Sequence, residues 1–313
     1  MTLALGLLAA AALIGILGPV YLRATISPRV HPGVALSCWA VSVVLVIGCA
    51  VTGAVLLALP ENAAVDGLIG MTAACVNSGE HVWETVVRLG GIAVVTVGMG
   101  RLLYVVSGRH REGAAQQAEH LSTVRMLAEP DPGESSLWWL PAARPVAYSL
   151  GGRRGGIVAT TGVAGLESTA RAAMLAHERA HLRGGHHRLV LLADAVSRAL
   201  PIVPLFRSAP PAIRVLVELA ADATAVRQCG RAGVRAALRS AGSALAPAES
   251  LAMSRDAVEL RLRWLPAAPG ELSGALRHRA RCGVAAVLAV FPVVVTLAGI
   301  AGLVTLMCLT IGR

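Results

Sequence analysis

His177, Glu178 and His181 stand in the run His-Glu-Arg-Ala-His, an H-E-x-x-H array on an Ala-rich stretch. On a helix, residues four apart share a face, so both imidazoles can reach one metal ion. Glu178 then stands beside that ion, where a carboxylate can take a proton from water polarised by the metal. This pattern predicts a zinc-dependent hydrolytic centre; the bland alternative is a surface helix with incidental polar groups. A catalytic zinc site has three protein ligands and one open position, so a third ligand must come from elsewhere. Glu218 is the favoured candidate. It lies on a segment opened by Pro210-Pro211 and stopped at Gly230, which predicts a helix, and Asp222 follows one turn later, able to orient a zinc-bound histidine. His187 is the alternative ligand, because Gly184 and His187 fall where an H-E-x-x-H-x-x-G-x-x-H pattern has its glycine and third histidine. That pattern also needs a methionine turn downstream, a context Met253 lacks. His186 and His187 otherwise read as the polar end of a helix, where cations favour the C-terminal dipole.

The elements that must position these residues are set by an apolar chain. Of 313 residues, 55% are hydrophobic and 15% charged, where soluble proteins carry about 25% charged residues. That composition excludes an ordinary soluble enzyme and a disordered chain, and predicts an integral membrane protein. Windows 2–22, 34–60 and 283–312 hold no charged residue, each long enough to cross a bilayer as a helix. A weaker window, 85–106, carries Arg88 and Arg101 near its ends, where they can snorkel to the interfaces. Four spans are expected, the first an uncleaved anchor because no positive residue precedes its apolar core.

All 28 basic residues are Arg, and the net charge is +10. Loop 23–33 holds Arg23 and Arg29, whereas loop 61–81 holds Glu61, Asp66 and Glu80 and no Arg. Arg109 and Arg111 follow the third span, and Arg277, Arg279 and Arg281 precede the fourth. The positive-inside rule then puts loop 61–81, the N-terminus and the tail at Arg313 outside, and segment 107–282 in the cytoplasm. The Arg residues are scattered and only 3% of the chain is aromatic, which argues against direct nucleic-acid binding and for contact with anionic lipid. The six cysteines show no paired spacing, so neither a disulfide framework nor a cysteine zinc site is expected.

Segment 107–282 is long enough for a domain with its own core. Within it, 145–150 and 156–161 flank a Gly-Gly-Arg-Arg-Gly-Gly turn and predict a β-hairpin, whose edge could accept an extended peptide. Residues 167–182 predict the helix that carries the H-E-x-x-H array. The apolar stretch 189–206 contains Asp194, Arg198, Pro201 and Pro204. It reads as a core helix or a membrane-dipping lid, since a fifth span there would put His181 and Glu218 on opposite sides of the bilayer.

These residues, together with Pro145-Val-Ala-Tyr-Ser-Leu-Gly-Gly and Ile157-Val-Ala-Thr, resemble the integral-membrane gluzincin peptidases of the BlaR/MecR-like antirepressor type. More distantly they resemble membrane zinc proteases of quality control and prenyl-protein processing. The resemblance implies one Zn2+ ion held by His177, His181 and Glu218, with Glu178 as base and Asp222 behind a ligand. The expected fold is an α-helical multi-pass membrane protein with an inserted α+β gluzincin-type zinc peptidase domain. Residues 1–106 would hold three spans, 107–282 the cytoplasmic peptidase domain, and 283–313 the fourth span with a short outside tail. The sensors of that family carry a penicillin-binding domain after the last span, and no S-x-x-K nucleophile follows here, so direct β-lactam sensing is not expected. The resulting expectation is an endopeptidase of the cell membrane cleaving a cytoplasmic or membrane-proximal protein, for which a DNA-binding transcriptional repressor is one candidate. The alternatives are a membrane quality-control protease and a non-catalytic sensor or scaffold with a structural zinc.

Overall fold

A computed structural model describes residues 2–27, 30–58, 81–152, 155–244 and 251–265. The apolar runs at the start of the chain form α1 (Thr2–Thr25) and α2 (Pro32–Ala58), and α3 spans His81–Leu127. Three helical stretches, Ala4–Thr25, Pro32–Ala58 and Arg88–Leu127, are long and apolar enough to cross a membrane. Residues 61–80 of the expected loop 61–81, and the expected fourth span 283–312, lie outside the described residues. Pro32 opens α2 at the position where its missing N–H costs nothing, and Gly53 of α2 lets Leu8 of α1 approach its backbone closely.

The third helix runs 47 residues without interruption, about 70 Å at 1.5 Å per residue. The expected division between span and domain at 106/107 therefore falls inside one continuous helix. Hydropathy changes there, but no proline or turn residue breaks the backbone.

A small mixed sheet follows: β1 (Glu129–Pro130), β2 (Leu137–Leu140), β3 (Ala147–Leu150) and β4 (Gly156–Thr160), in the order β1-β2-β4-β3. The expected hairpin is present as the antiparallel pair β3/β4, with Tyr148 opposite Val158 and Ser149 opposite Ile157. Strand β4 is buried throughout and also pairs in parallel with β2, as its unbroken apolar character suits. Among the described residues that leaves β3 at the sheet edge.

Five helices complete the described fold: α4 (Thr161–Ala164), α5 (Ser168–Gly184), α6 (His186–Ala199), α7 (Pro204–Ala244) and α8 (Leu251–Trp264). Helix α7 begins at Pro204 rather than at the expected Pro210, with Pro210 and Pro211 inside it. Pro204 takes the tolerated first position, and burial of Leu205, Phe206, Ala209, Ala212 and Ile213 holds the helix across the later prolines. At Gly230, where a stop is expected, φ is 75° and the helix breaks before resuming.

Two apolar cores form among the described residues. One joins the membrane-type helices α1 and α2 to α6 and the first half of α7, around Trp39, Leu22, Leu205, Phe206 and Leu216. The other packs the sheet on α5 and the later part of α7, around Ile157, Val163, Met174 and Val226. Helix α7 belongs to both, passing from the first at Val217 to the second at Ala225.

Candidate metal centre

The buried faces of α5 and α7 are lined with alanine: Ala173, Ala176 and Ala180 on one, Ala221 and Ala225 on the other. Small side chains let the two backbones approach, and at this crossing the carboxylate of Glu218 meets the histidine face of α5. His177 Nε2 lies 3.0 Å from His181 Nε2. Glu218 places one oxygen 3.4 Å from His177 Nε2 and the other 3.4 Å from His181 Nε2. The two Nε2 atoms and the two carboxylate oxygens thus face one another, and among the described residues these three side chains form a group able to hold a metal ion, with one donor atom from each within 4.8 Å of the others. Tetrahedral zinc with bonds of about 2.0–2.1 Å separates its ligand atoms by about 3.3 Å, so the donor set fits that ion in both chemistry and spacing.

The far nitrogen of each imidazole is also engaged. His177 Nδ1 lies 2.9 Å from Asp222 Oδ1, an arrangement that fixes the tautomer and turns Nε2 toward the other donors. His181 Nδ1 lies 3.0 Å from His186 Nδ1. This contact follows from the turn between α5 and α6: Gly185, with φ of 59°, caps α5 in the left-handed conformation and reverses the chain. His186 folds back over Gly184, whose lack of a side chain leaves room for the ring. His186 is thus buried against a candidate ligand rather than being a polar helix end. His187 turns away from the donor set, its Nε2 lying 3.3 Å from Ser149 Oγ on β3.

Arg261 of α8 completes the cluster. Its Nε and Nη2 each lie 2.7 Å from an oxygen of Asp222, a bidentate pair, and Nη1 lies 3.4 Å from Glu218. Nothing in the sequence marks this residue among 28 arginines; only the packing of α8 on α7 brings it in.

The electrostatics follow from this crowding. Burial disfavours the charged form of His177, but hydrogen bonds to Asp222 and Glu218 outweigh it and carry its pKa up to about 9. His181 is pushed down to about 3 by burial and by the charge on His177. Burial opposes ionisation of Glu218 and Asp222 as well. The hydrogen bond from His177 to Glu218, and those from Arg261 and His177 to Asp222, bring both down to about 2. Glu178 moves the other way: burial raises it, partly offset by His177 and a hydrogen bond from Ser149. A half-buried carboxylate that retains its proton more readily, beside two that do not, is the disposition expected of a proton carrier.

The cluster lies in a cleft of about 580 Å³ walled by Pro145–Ser149, which includes the edge strand β3. Tyr148, His186 and His187 line it. Its lining includes the apolar Met174, Val234 and Leu238 as well as Arg214, which is paired to Asp194.

Comparison with protein-family models, with curated proteins and with solved structures finds no match in any of the three.

Proposed function

We propose that this chain, a membrane-helix protein with a His177/His181/Glu218 donor set, is a zinc-dependent endopeptidase. One observation carries the reading: a half-buried third carboxylate, Glu178, stands beside that donor set in a cleft bordered by β3, the edge strand among the described residues. A zinc ion held by His177, His181 and Glu218 would supply Lewis-acid polarisation of water and of the substrate carbonyl.

The remaining work falls to the chain's own groups. Among the described residues no strand pairs with the outer edge of β3, where an extended peptide can align as an added strand. Glu178 takes a proton from water as the water oxygen bonds to the carbonyl carbon, and delivers it to the amide nitrogen as the C–N bond breaks. Asp222 keeps His177 in the tautomer that leaves Nε2 free, and Arg261 fixes Asp222. Tyr148 and His187 line the cleft and are candidate donors for the developing oxyanion.

In this reading residues 107–282 are the peptidase domain, on the cytoplasmic side by the distribution of Arg. Its substrate is a protein, a transcriptional repressor being one candidate, and the resemblance to BlaR/MecR-like antirepressor peptidases supports that class. The second reading, a non-catalytic sensor with a structural ion, draws on Arg261, a cation already in contact with Glu218 and Asp222. Zinc content and peptide cleavage in a Glu178→Gln variant separate the two. The peptidase reading expects full zinc occupancy and a loss of about 10²–10⁴ in rate; unchanged cleavage with zinc retained refutes it.

A further inference from the structure

Stretch 189–206 is not one helix but the end of α6, a turn, and the start of α7. The eight residues 199–206 are uncharged and are bracketed by Arg198 and Arg207. At the tip Ile202 is 92% exposed, an expensive placement for a large apolar side chain in water. The flanks of the tip are wedged into the membrane-type helices: Val203 abuts Gly15 and Leu205 abuts Gly18 of α1, and Leu200 abuts Gly98 of α3. Each glycine leaves the space that the incoming side chain occupies. A cavity of about 380 Å³ beside the tip, bordered by Ala11, Ala50, Met99, Leu102, Ile202 and Phe206, has a lining that is almost wholly apolar.

The geometry points to a re-entrant hairpin: the α6–α7 corner enters the bilayer alongside the spans, and thereby holds the metal centre at the membrane surface, where it acts on polypeptides anchored in the same membrane. Gly15 precedes Arg23, the first charge of α1, by eight residues, which is about 12 Å of helix. The tip therefore sits roughly that far inside the level at which α1 leaves the apolar layer. Arg198 and Arg207 are each about one turn from the tip and can snorkel outward. Arg101 of α3 joins them, its guanidinium donating to the Arg198 carbonyl at 3.4 Å. Farther from the tip, Asp194 and Arg214 pair across the two helices at 2.6 Å, a neutralised pair suited to the interfacial zone.

The height of the metal centre follows from the same arithmetic. Helix α7 runs beside α1 and α2 through one shared core from Leu205 to Val217. From Pro204 to Glu218 is fourteen residues, about 21 Å. Subtracting the insertion depth leaves the donor set roughly 10 Å beyond the end of the apolar layer, at the outer edge of the headgroup region. An extended chain covers that distance in about three residues. An anchored substrate is thus presented close to its point of exit, while a freely diffusing protein must bring a segment down to the surface. The substrate class rests on the peptidase reading above; the depth of the corner does not.

The test uses the full chain reconstituted with zinc in vesicles of phosphatidylethanolamine and phosphatidylglycerol. A nitroxide amino acid is placed at 202, or for comparison at Leu17, exposed on α1, or at Arg183, exposed on α5. Collision rates are read by spin resonance with oxygen, which concentrates in lipid, and with a nickel chelate, which stays in water. Position 202 is expected to behave as Leu17 does; nickel access equal to that at Arg183 overturns the hairpin. In the same vesicles an unstructured reporter polypeptide is offered either fused to a single transmembrane helix or free. Cuts within about five residues of the anchor, made at least about tenfold faster than in the free reporter, are expected. Equal rates, with cuts spread along both reporters, overturn the substrate class while leaving the peptidase reading intact. No zinc-dependent cut in either reporter overturns the peptidase reading and the substrate class with it, whatever the depth measurement gives.

Discussion

Zinc entering the metal-free protein must displace a proton from His177. With its pKa raised to about 9, His177 is about 99% imidazolium near pH 7. The hydrogen bond to Asp222 holds the Nδ1 proton in place, so the one that leaves comes from Nε2, the atom facing Glu218. His181, pushed down to about 3, is already neutral and releases nothing. Apparent zinc affinity should therefore rise about tenfold per pH unit between about pH 6.5 and 8.5, and near pH 7 it should lie about 2.7 kcal/mol short of its limit. Two ordinary imidazoles would instead bring the affinity to a plateau just above about pH 7. Chelator-competition titrations across this range measure the slope, and calorimetry in two buffers of different ionisation heat counts the proton directly. In Asp222→Asn the carboxylate that holds the charge on His177 is gone, so the slope should flatten above about pH 7; this control separates the His177 proton from any lost by water. A wild-type affinity that is flat from about pH 7 to 8.5, or a slope unchanged in Asp222→Asn, refutes the reasoning.

Three further outcomes are expected. Arg261→Leu leaves Asp222, 3% exposed, without its bidentate partner and should destabilise the metal-free protein by about 3–5 kcal/mol in denaturant unfolding in detergent; no loss would mean that His177 alone satisfies the carboxylate. Gly184→Ala drives a methyl group into the His186 ring, which abuts His181. It should weaken zinc binding about tenfold or more with helical content unchanged, as read by chelator competition and circular dichroism. The folded-state pKa of His177 lies above its free value of 6.5, so its stabilisation of the metal-free fold is complete below about pH 6.5 and lost as pH rises through about 9, about 3 kcal/mol in all. Unfolding midpoints measured along that range with and without Asp222→Asn check both sign and size.

The centre was legible where chemistry demands local spacing. His177 and His181 sit four apart on the expected helix, and Glu218 and Asp222, also four apart, reach the same imidazole pair. The three described membrane-type helices and the hairpin were legible for the same reason, since hydropathy and Gly-rich turns are short-range signals. Arg261 was not, because a guanidinium brought in by the packing of two distant helices leaves no local trace. The role of His186 depends on the left-handed Gly185, and a pair of glycines followed by a pair of histidines reads equally well as a frayed end. The parallel pairing of β2 with β4 comes from strand order, which neither strand encodes alone. The continuity of α3 was hidden because a change from apolar to polar residues mimics a boundary.

That continuity has a mechanical consequence. Near the far end of α3, His120 bonds the Tyr148 hydroxyl on β3 at 2.9 Å, and Gln117 packs against Gly152 in the turn that follows. From Arg101 to His120 is nineteen residues, a stiff arm of about 28 Å. Tilting the span by about 5°, as a thinner bilayer would require, sweeps the end of that arm by about 2.5 Å. The strand that walls the cleft is joined to that end of the arm by the His120–Tyr148 hydrogen bond, so such a change in tilt would be felt at the cleft wall.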